Sequence, residues 1–407
     1  MEKMAALPTT LRHKNYLAIL NTFRSKEVLS ANDVSAMTGI SRATVMKAIQ
    51  HFTKCGLFES AGKGSSTQIG GKRPELFRFC MKRYIFCIGL WSSEMAASLY
   101  DLKSNLIAKE SLPYDMKEDV TVFLDKIERI AQKLFEKVEN GRELLYGISL
   151  CMGGFLDTDS GILQYSVLTP EWGYNVPLKK LLQERFPGVE IAVDNVARMA
   201  ARAEVLDNPF YEDKRVAAIY TDVGASACFI DKGHVLHGKH FMIGEIGMMV
   251  LSLPDAVPYG ESLASFFSSQ ISEKTLTKKV LDQPEKLRES LLYEKREKLT
   301  LLDIFRAADE CDAFAREIVR NAAWAFCAAM QNIVVSFDPE VIILQGNFSR
   351  AGKWFDACVR EGMSCFPRYR LSSSFEVHYD QRPLVSLQMR GASKLMIKKF
   401  FESEEWF

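Results

Sequence analysis

The stretch that decides the reading is Ser30-Ala-Asn-Asp-Val-Ser-Ala-Met-Thr-Gly-Ile-Ser-Arg-Ala-Thr-Val-Met-Lys-Ala-Ile-Gln-His-Phe-Thr-Lys54. It encodes two short helices joined by a tight turn. Ser30 is an N-cap for the first, and Asp33 falls in the first turn, where the helix dipole favours an anion. Val34 and Met37 supply its apolar face. Gly39 provides the positive φ that a tight inter-helix turn needs. Ser41 caps the second helix, Arg42–Lys54, and Gly56 stops it. Val45, Ile49 and Phe52 stand at i, i+4 and i+7, so they point inward. Ser41, Arg42, Thr44, Lys47 and Gln50 are left for the outer face. This is a helix-turn-helix pattern, its second helix suited to a DNA major groove.

The flanking sequence extends the pattern. Leu11 to Phe23 reads as a preceding helix with Leu17, Leu20 and Phe23 on one face. Leu57–Ser60 and Leu76–Phe79 read as two short strands. The loop between them, Gly62 to Pro74, carries Lys63, Lys72 and Arg73, as expected of a wing that meets phosphates or enters the minor groove.

Charge agrees with this division. The chain has 407 residues and a formal net charge of +1, from 52 Lys+Arg against 51 Asp+Glu. Residues 1–80 hold 12 Lys+Arg and 5 Asp+Glu, a net of +7, which leaves −6 for the rest. A basic head on an acidic body calls for a polyanionic partner for the head, with an affinity that falls steeply with salt. Hydrophobic content of 47% and charged content of 25% exclude disorder and a coiled-coil rod. The N-terminus lacks the apolar core of a signal peptide, and no bilayer-spanning run is evident, so a cytoplasmic protein with no membrane partner is expected. The 9 cysteines form no C-x-x-C or C-x-C pair, so buried free thiols are expected rather than a zinc knuckle or disulfides.

From Tyr84 the texture changes. Strands are expected at Ile85–Leu90, Ala96–Tyr100, Leu145–Leu150, Val189–Val193, Val216–Thr221, Ala227–Ile230 and Val341–Leu344. Helices are expected near Val120–Val138, Pro177–Phe186, Ala197–Val205, Leu301–Glu310 and Ala313–Phe337. Strands alternating with helices indicate an α/β body with a mixed sheet.

The chain resembles the ROK family (repressors, open reading frames and kinases), in its repressor branch. In the head the resemblance rests on Gly39-Ile-Ser-Arg-Ala-Thr-Val45 and Gly70-Gly-Lys-Arg-Pro74. In the body it rests on Gly147 to Asp157, Trp172 to Leu178, Val193 to Ala201, Gly244-Glu-Ile-Gly247 and Asp338 to Gly346. It implies an α+β multidomain protein: a winged helix-turn-helix joined to a two-lobed, actin-like (RNase H-like) α/β ATPase-type body. The implied parts are the head at 1–80, a first lobe at 81–200 completed by a C-terminal helix at 385–402, and a second lobe at 201–384.

The family's kinase parts are degenerate here. A sugar kinase needs a base for the sugar hydroxyl proton. The family places an Asp directly after an Asn that matches Asn195, but Val196 stands there and cannot accept a proton. Bringing Asp194 into the role would break the match of the helix behind it. At the first phosphate loop, Trp91 takes the Asp position with no glycine after it, and Glu94 would repel a triphosphate. The second keeps only Gly224 in Asp222–Ala227. Met248 replaces the first zinc ligand, and Leu251–Gly260 lacks the cysteines, so a tetrahedral site cannot form. His234, His237 and His240 read as solvated residues beside a hairpin rather than as metal ligands.

Sugar contacts are partly kept. Asn195, Glu245 and Glu261 match the family's sugar-binding Asn and two Glu, whereas Leu168, Val196 and Met248 replace polar groups. Each sugar hydroxyl left unmet costs about 1–3 kcal/mol. The resemblance therefore implies a transcriptional regulator, expected to repress carbohydrate-utilisation genes, with no catalytic residue, metal or cofactor. Its partners would be an operator in double-stranded DNA, a small effector related to a sugar, and a second copy in a homodimer or dimer of dimers. An ATP-dependent carbohydrate kinase with a regulatory head is the alternative.

Overall fold

The computed structural model describes residues 8–64, 73–91, 93–252, 266–366 and 375–406. Its N-terminal part holds helices α1 (Pro8–Ser25), α2 (Ala31–Thr38) and α3 (Arg42–Lys54) and strands β1 (Leu29–Ser30), β2 (Phe58–Lys63) and β3 (Glu75–Phe79). The strands form one antiparallel sheet in the order β1-β3-β2. The start of α2 is a reciprocal cap. Ser30 Oγ accepts from the Asp33 N–H, and the Asp33 carboxylate accepts from the Ser30 N–H at 2.8 Å. Gly39 ends that helix at φ 68°, and Ser41 Oγ caps α3 through the Thr44 N–H. Val34, Val45, Ile49 and Phe52 are buried, as the periodicity requires. Met37 is not: it is 52% exposed, because the short α2 turns only its Ala31–Val34 edge inward. The inner face of α1 is Tyr16, Ile19, Leu20 and Phe23, with Leu17 only half-buried.

Two mixed five-stranded sheets follow. The first runs β10-β7-β4-β5-β6, built from β4 (Tyr84–Leu90), β5 (Glu94–Asp101), β6 (Leu106–Pro113), β7 (Leu145–Met152) and β10 (Glu190–Asn195). The second runs β13-β12-β11-β14-β15, built from β11 (Arg215–Thr221), β12 (Ala225–Asp231), β13 (His234–Val235), β14 (Val341–Gly346) and β15 (Glu376–Asp380). Each begins with an antiparallel meander and adds two parallel strands on the far side of its first strand. A small hairpin, β8 (Phe155–Asp157) with β9 (Ile162–Tyr165), stands after β7. Strand β6 escapes sequence reading because Leu106–Pro113 is an edge strand with an exposed alternate face.

Helices α4 (Val120–Phe135) and α5 (Leu178–Arg185) cover the first sheet, and α6 (Val196–Asp207) runs from the end of β10. Three short helices, α7 (Phe267–Ile271), α8 (Glu273–Leu281) and α9 (Pro284–Arg288), precede α10 (Leu301–Asp309), α11 (Ala313–Phe337) and α12 (Gly352–Ser364), which cover the second sheet. By length and composition α11 could span a bilayer, but half of its most apolar window is buried, and Ile318, Ala322, Phe326 and Met330 lie in the core of the second sheet. Each fully buried aliphatic or aromatic side chain contributes about 1.5–3 kcal/mol.

The last helix, α13 (Leu384–Phe401), lies along α6 and against β4 and β7. Gly391 sits on the Met199 carbonyl of α6, so close that any Cβ would overlap that oxygen. The far end of α6 is tied as well: Asp207 accepts from Arg390 and Lys394. Burial alone would raise the Asp207 carboxyl, but those hydrogen bonds hold it below the usual carboxylate range. Beyond α13 the chain reaches the N-terminal part. Phe401 meets Phe79 at 5.5 Å between ring centroids, and the Trp406 carbonyl lies 2.9 Å from His51 Nε2 on α3. Gly391→Ala should therefore cost about 1–3 kcal/mol through overpacking. The urea midpoint of purified protein measures this, and an unchanged midpoint would contradict the close approach.

Candidate functional site

The two sheets aim the carboxyl ends of their first strands at one another across a cavity of about 590 Å³. Crevices at strand carboxyl ends are where open α/β sheets bind ligands, and the volume suits a small molecule. The walls come from the turns after strands: Trp91 after β4, Gly153 and Gly154 after β7, Asn195 at the end of β10, and Asp222 to Gly224 after β11. The β9 end and following turn add Tyr165 to Leu168, and the segment after β13 adds Glu245 and Met248.

Sequence matching had drawn Leu168, Asn195, Val196, Glu245 and Met248 from distant stretches, and all of them line this cavity. Glu261 lies outside the described residues. Asn195 is both a wall residue and the N-cap of α6: its Oδ1 accepts from the Ala197 N–H at 2.8 Å, and its Nδ2 donates to the Gly154 carbonyl at 3.2 Å. Val196 occupies the first position of α6 and is 9% exposed. Asp194 does not reach the cavity. It is buried in an ion pair with Arg198 one turn along α6, and it accepts from the Asn195 N–H at 2.7 Å. A carboxylate held this way is a structural anchor.

Two carboxylates do reach the cavity. Asp222 accepts from the Tyr220 hydroxyl at 3.4 Å, and that hydroxyl accepts from Gln388 Nε2 on α13 at 2.8 Å. Burial raises the Asp222 carboxyl, and Glu273 adds to the rise. Burial also raises Glu245, against the lowering field of Arg198. The Trp91 indole N–H is buried with no partner. Sequence reading missed the aromatic walls Phe155, Tyr165 and Phe266 and the serines 268 and 269 on α7. Nothing in the local pattern marks them, because a long chain separation brings them together.

The groups a sugar kinase of this fold would hold do not fit. Trp91 and Asp222 line the cavity in the two turns that match the family's phosphate loops, an indole and a carboxylate where a triphosphate needs backbone donors, and Val196, at the position matching the family's base, has no proton acceptor. For zinc, Met248 is half-exposed and the stretch 253–265 contains no cysteine or histidine. Among the described residues no three His, Cys, Asp or Glu converge on a metal position. His234 lies in β13 with Nδ1 3.0 Å from the Lys232 carbonyl, whereas His237 and His240 follow in irregular backbone. Burial lowers His237.

The residues expected to face DNA lie on another surface. On α3, Arg42, Lys47 and Gln50 are exposed; Thr44 is half-buried and its hydroxyl lies 3.0 Å from Ser41 Oγ, so both polar ends serve the cap first. Lys63 ends β2, and Arg73 is exposed ahead of β3; Lys72 lies outside the described residues.

The ROK family model matches residues 85–397. The chain belongs to the ROK family. A xylose repressor of Caldicellulosiruptor bescii is 24% identical over 357 residues, 87% of this chain and 88% of its own length. A glucokinase of Halalkalibacterium halodurans is 25% identical over 274 residues, 67% of this chain and 82% of its own. Among solved structures, a ROK family transcriptional regulator described as a homolog of the E. coli MLC protein superposes with a TM-score of 0.74 at 18% identity, covering 96% of this chain and 97% of that one. Its fold is therefore that of the sugar-kinase-like ROK body, with the repeated mixed sheets described above.

The Asp194–Arg198 pair gives a test of the site's foundation. Arg198→Ala leaves a buried carboxylate without its partner and should cost about 3–5 kcal/mol. Adding Asp194→Asn should restore much of the loss, because the uncompensated charge is then gone. Urea melts of the single and double variants measure this. A neutral Arg198→Ala would contradict the anchoring role.

Proposed function

We propose that this chain is a sequence-specific DNA-binding transcriptional regulator, a repressor of carbohydrate-utilisation genes, whose kinase-like body has lost catalysis and senses a small effector. The observation that carries the reading is the exposed face of α3 beside the β2–β3 hairpin. A capped helix presents Arg42, Lys47 and Gln50, and Lys63 and Arg73 are exposed at the end of β2 and ahead of β3. In this reading the N-terminal part, residues 1–80, is a winged helix-turn-helix. Its α3 enters the major groove, where Arg42 and Gln50 reach base edges, while Lys63, Lys72 and Arg73 meet phosphates or the minor groove. The match to the xylose repressor supports it. At 357 residues that match is longer than the part of the chain from Ile85 onward, so it extends into the N-terminal part.

The body divides into a first lobe, 81–200, completed by α13, and a second lobe, 201–384. A homodimer places two α3 helices about one DNA turn apart on a palindromic operator. The protein is cytoplasmic, where that DNA is. Effector binding at Asn195, Glu245, Leu168, Val196 and Met248, with Glu261 from the neighbouring stretch, is relayed along α6 and α13 to the Trp406–His51 contact on α3. A second route runs from Asp222 through Tyr220 to Gln388 on α13. The glucokinase relative supports a second reading, a carbohydrate kinase with a regulatory head, and sugar-dependent ATP hydrolysis by purified protein would establish it.

The test is binding to DNA from upstream of the chain's own gene, by fluorescence anisotropy. Arg42→Ala and Lys47→Ala should each weaken binding, the first by about 1–3 kcal/mol with relaxed sequence preference. Affinity should fall by orders of magnitude between about 50 and 200 mM salt despite the near-neutral chain. Unchanged binding by both variants, or a flat salt response, would contradict the assignment.

A further inference from the structure

The cavity joins two sets of wall residues. One set, with Asn195 and Glu245, matches the family's sugar contacts. The other lies in the turns that match the family's phosphate loops, at Trp91 and Asp222 to Gly224, and continues into Ser268 on α7 and Thr275 on α8. Both sets open on one volume of about 590 Å³. Cavities of about 300–1,000 Å³ hold drug-sized ligands, which are larger than one sugar ring. The phosphate-loop half has therefore kept its space while losing its phosphate chemistry. No Lys, Arg or His lines the cavity among the described residues, and the Asp222 carboxylate opposes an anion.

What this half offers instead suits a neutral, hydroxyl-rich ring. Trp91 is a fixed aromatic wall: its ring fills the space that a side chain on Gly89 would take, beside Met389 of α13. The C–H face of a sugar ring is apolar and gains by covering such a surface. The polar groups supply both roles that hydroxyls need. Asp222 accepts from Tyr220 and has lone pairs to spare. Ser268 Oγ accepts from the Ala225 N–H at 3.1 Å, and Thr275 Oγ1 accepts from Ser272 Oγ at 2.8 Å. Each of these hydroxyls keeps its own hydrogen for donation. In the other half, Glu245 accepts, and Asn195 Nδ2 has a second hydrogen beyond the one given to the Gly154 carbonyl.

We propose that the ligand of this cleft is a disaccharide. Its first ring lies at Asn195 and Glu245, and its second occupies the former phosphate half, against Trp91 with its hydroxyls on Asp222, Ser268 and Thr275. The inference rests on the cleft being a sugar-effector site, and it names the size and placement of that effector. It also gives the ligand a hold on both helices behind the cleft. The first ring meets the start of α6 at Asn195, and the second meets Asp222, which Tyr220 joins to Gln388 on α13.

Isothermal titration of the full chain tests this with cellobiose, maltose, gentiobiose, xylobiose and sucrose against glucose, xylose and fructose. At least one disaccharide should bind about tenfold tighter than each of its own constituent sugars. Asp222→Asn and Thr275→Val, tested singly, should each reduce that advantage severalfold, whereas Glu245→Gln should weaken both classes alike. Thermal melts report whether the variants are folded, and either of the first two alone suffices. Monosaccharides binding as tightly as every disaccharide would overturn the second ring and leave the cleft as a sugar-effector site. An advantage unchanged in both Asp222→Asn and Thr275→Val would overturn its placement in the phosphate half. If no sugar binds, both the inference and the cleft's effector role fall, while operator binding, measured without effector, stands or falls separately.

Discussion

The contact on which the rest depends is the seating of Gly391 of α13 against the Met199 carbonyl of α6. Helices with ordinary side chains at the crossing keep their axes about 8–10 Å apart. A glycine at the contact lets the backbones meet, and Asp207 then clamps the end of α6 to Arg390 and Lys394. That pair of helices connects two remote surfaces. The start of α6 is the wall of the cleft, where Asn195 caps the helix and Val196 faces the cavity. The end of α13 carries Phe401 and leads to Trp406, which touch β3 and α3. Gln388, on the same helix, reaches Tyr220 and through it Asp222 on the opposite wall. One helix thus contacts both sides of the cleft and leads to the N-terminal part.

The cleft keeps the shape of a kinase-like site while single positions in its walls differ. The strands still deliver their carboxyl ends to one cavity, because that is set by sheet order and by the buried runs of β7, β11 and β14. The chemistry has changed at single positions. Val196, Trp91 and Met248 line the cavity at the positions that match the family's base, first phosphate loop and first zinc ligand. Asp194, two residues before Val196, is paired with Arg198. What remains is a half-open, mostly apolar cavity lined by two carboxylates, Asp222 and Glu245.

Much of this was legible in the residues. The capped helices α2 and α3 follow from Ser30, Asp33, Gly39 and Ser41, since capping is local chemistry that a short window contains. The central strands were visible as buried apolar runs, and family matching brought Leu168, Asn195, Val196, Glu245 and Met248 to one cavity. Other features were not legible. The exposed face of β6 and the strand β15 carry weak local patterns. Met37 looked apolar-facing, but an 8-residue helix has too few turns to fix its inner edge beyond Val34. The aromatic walls and the Trp406–His51 contact join residues hundreds of positions apart, and no spacing rule reaches that far. The net charge of +1 concealed the split between a basic N-terminal part and an acidic remainder, which only position along the chain reveals.

The central claim is that the segment after α13 holds α3 in place. Amide hydrogen exchange on the intact chain tests it most directly, comparing the native sequence with Trp406→Ala. The substitution removes the indole that fixes this turn by donating to the Phe400 carbonyl at 2.6 Å, and so frees the backbone carbonyl that meets His51. The account predicts faster exchange across residues 42–54, with residues 196–207 keeping their native protection because the Gly391 contact is untouched. Equal protection of 42–54 in the two proteins would contradict it.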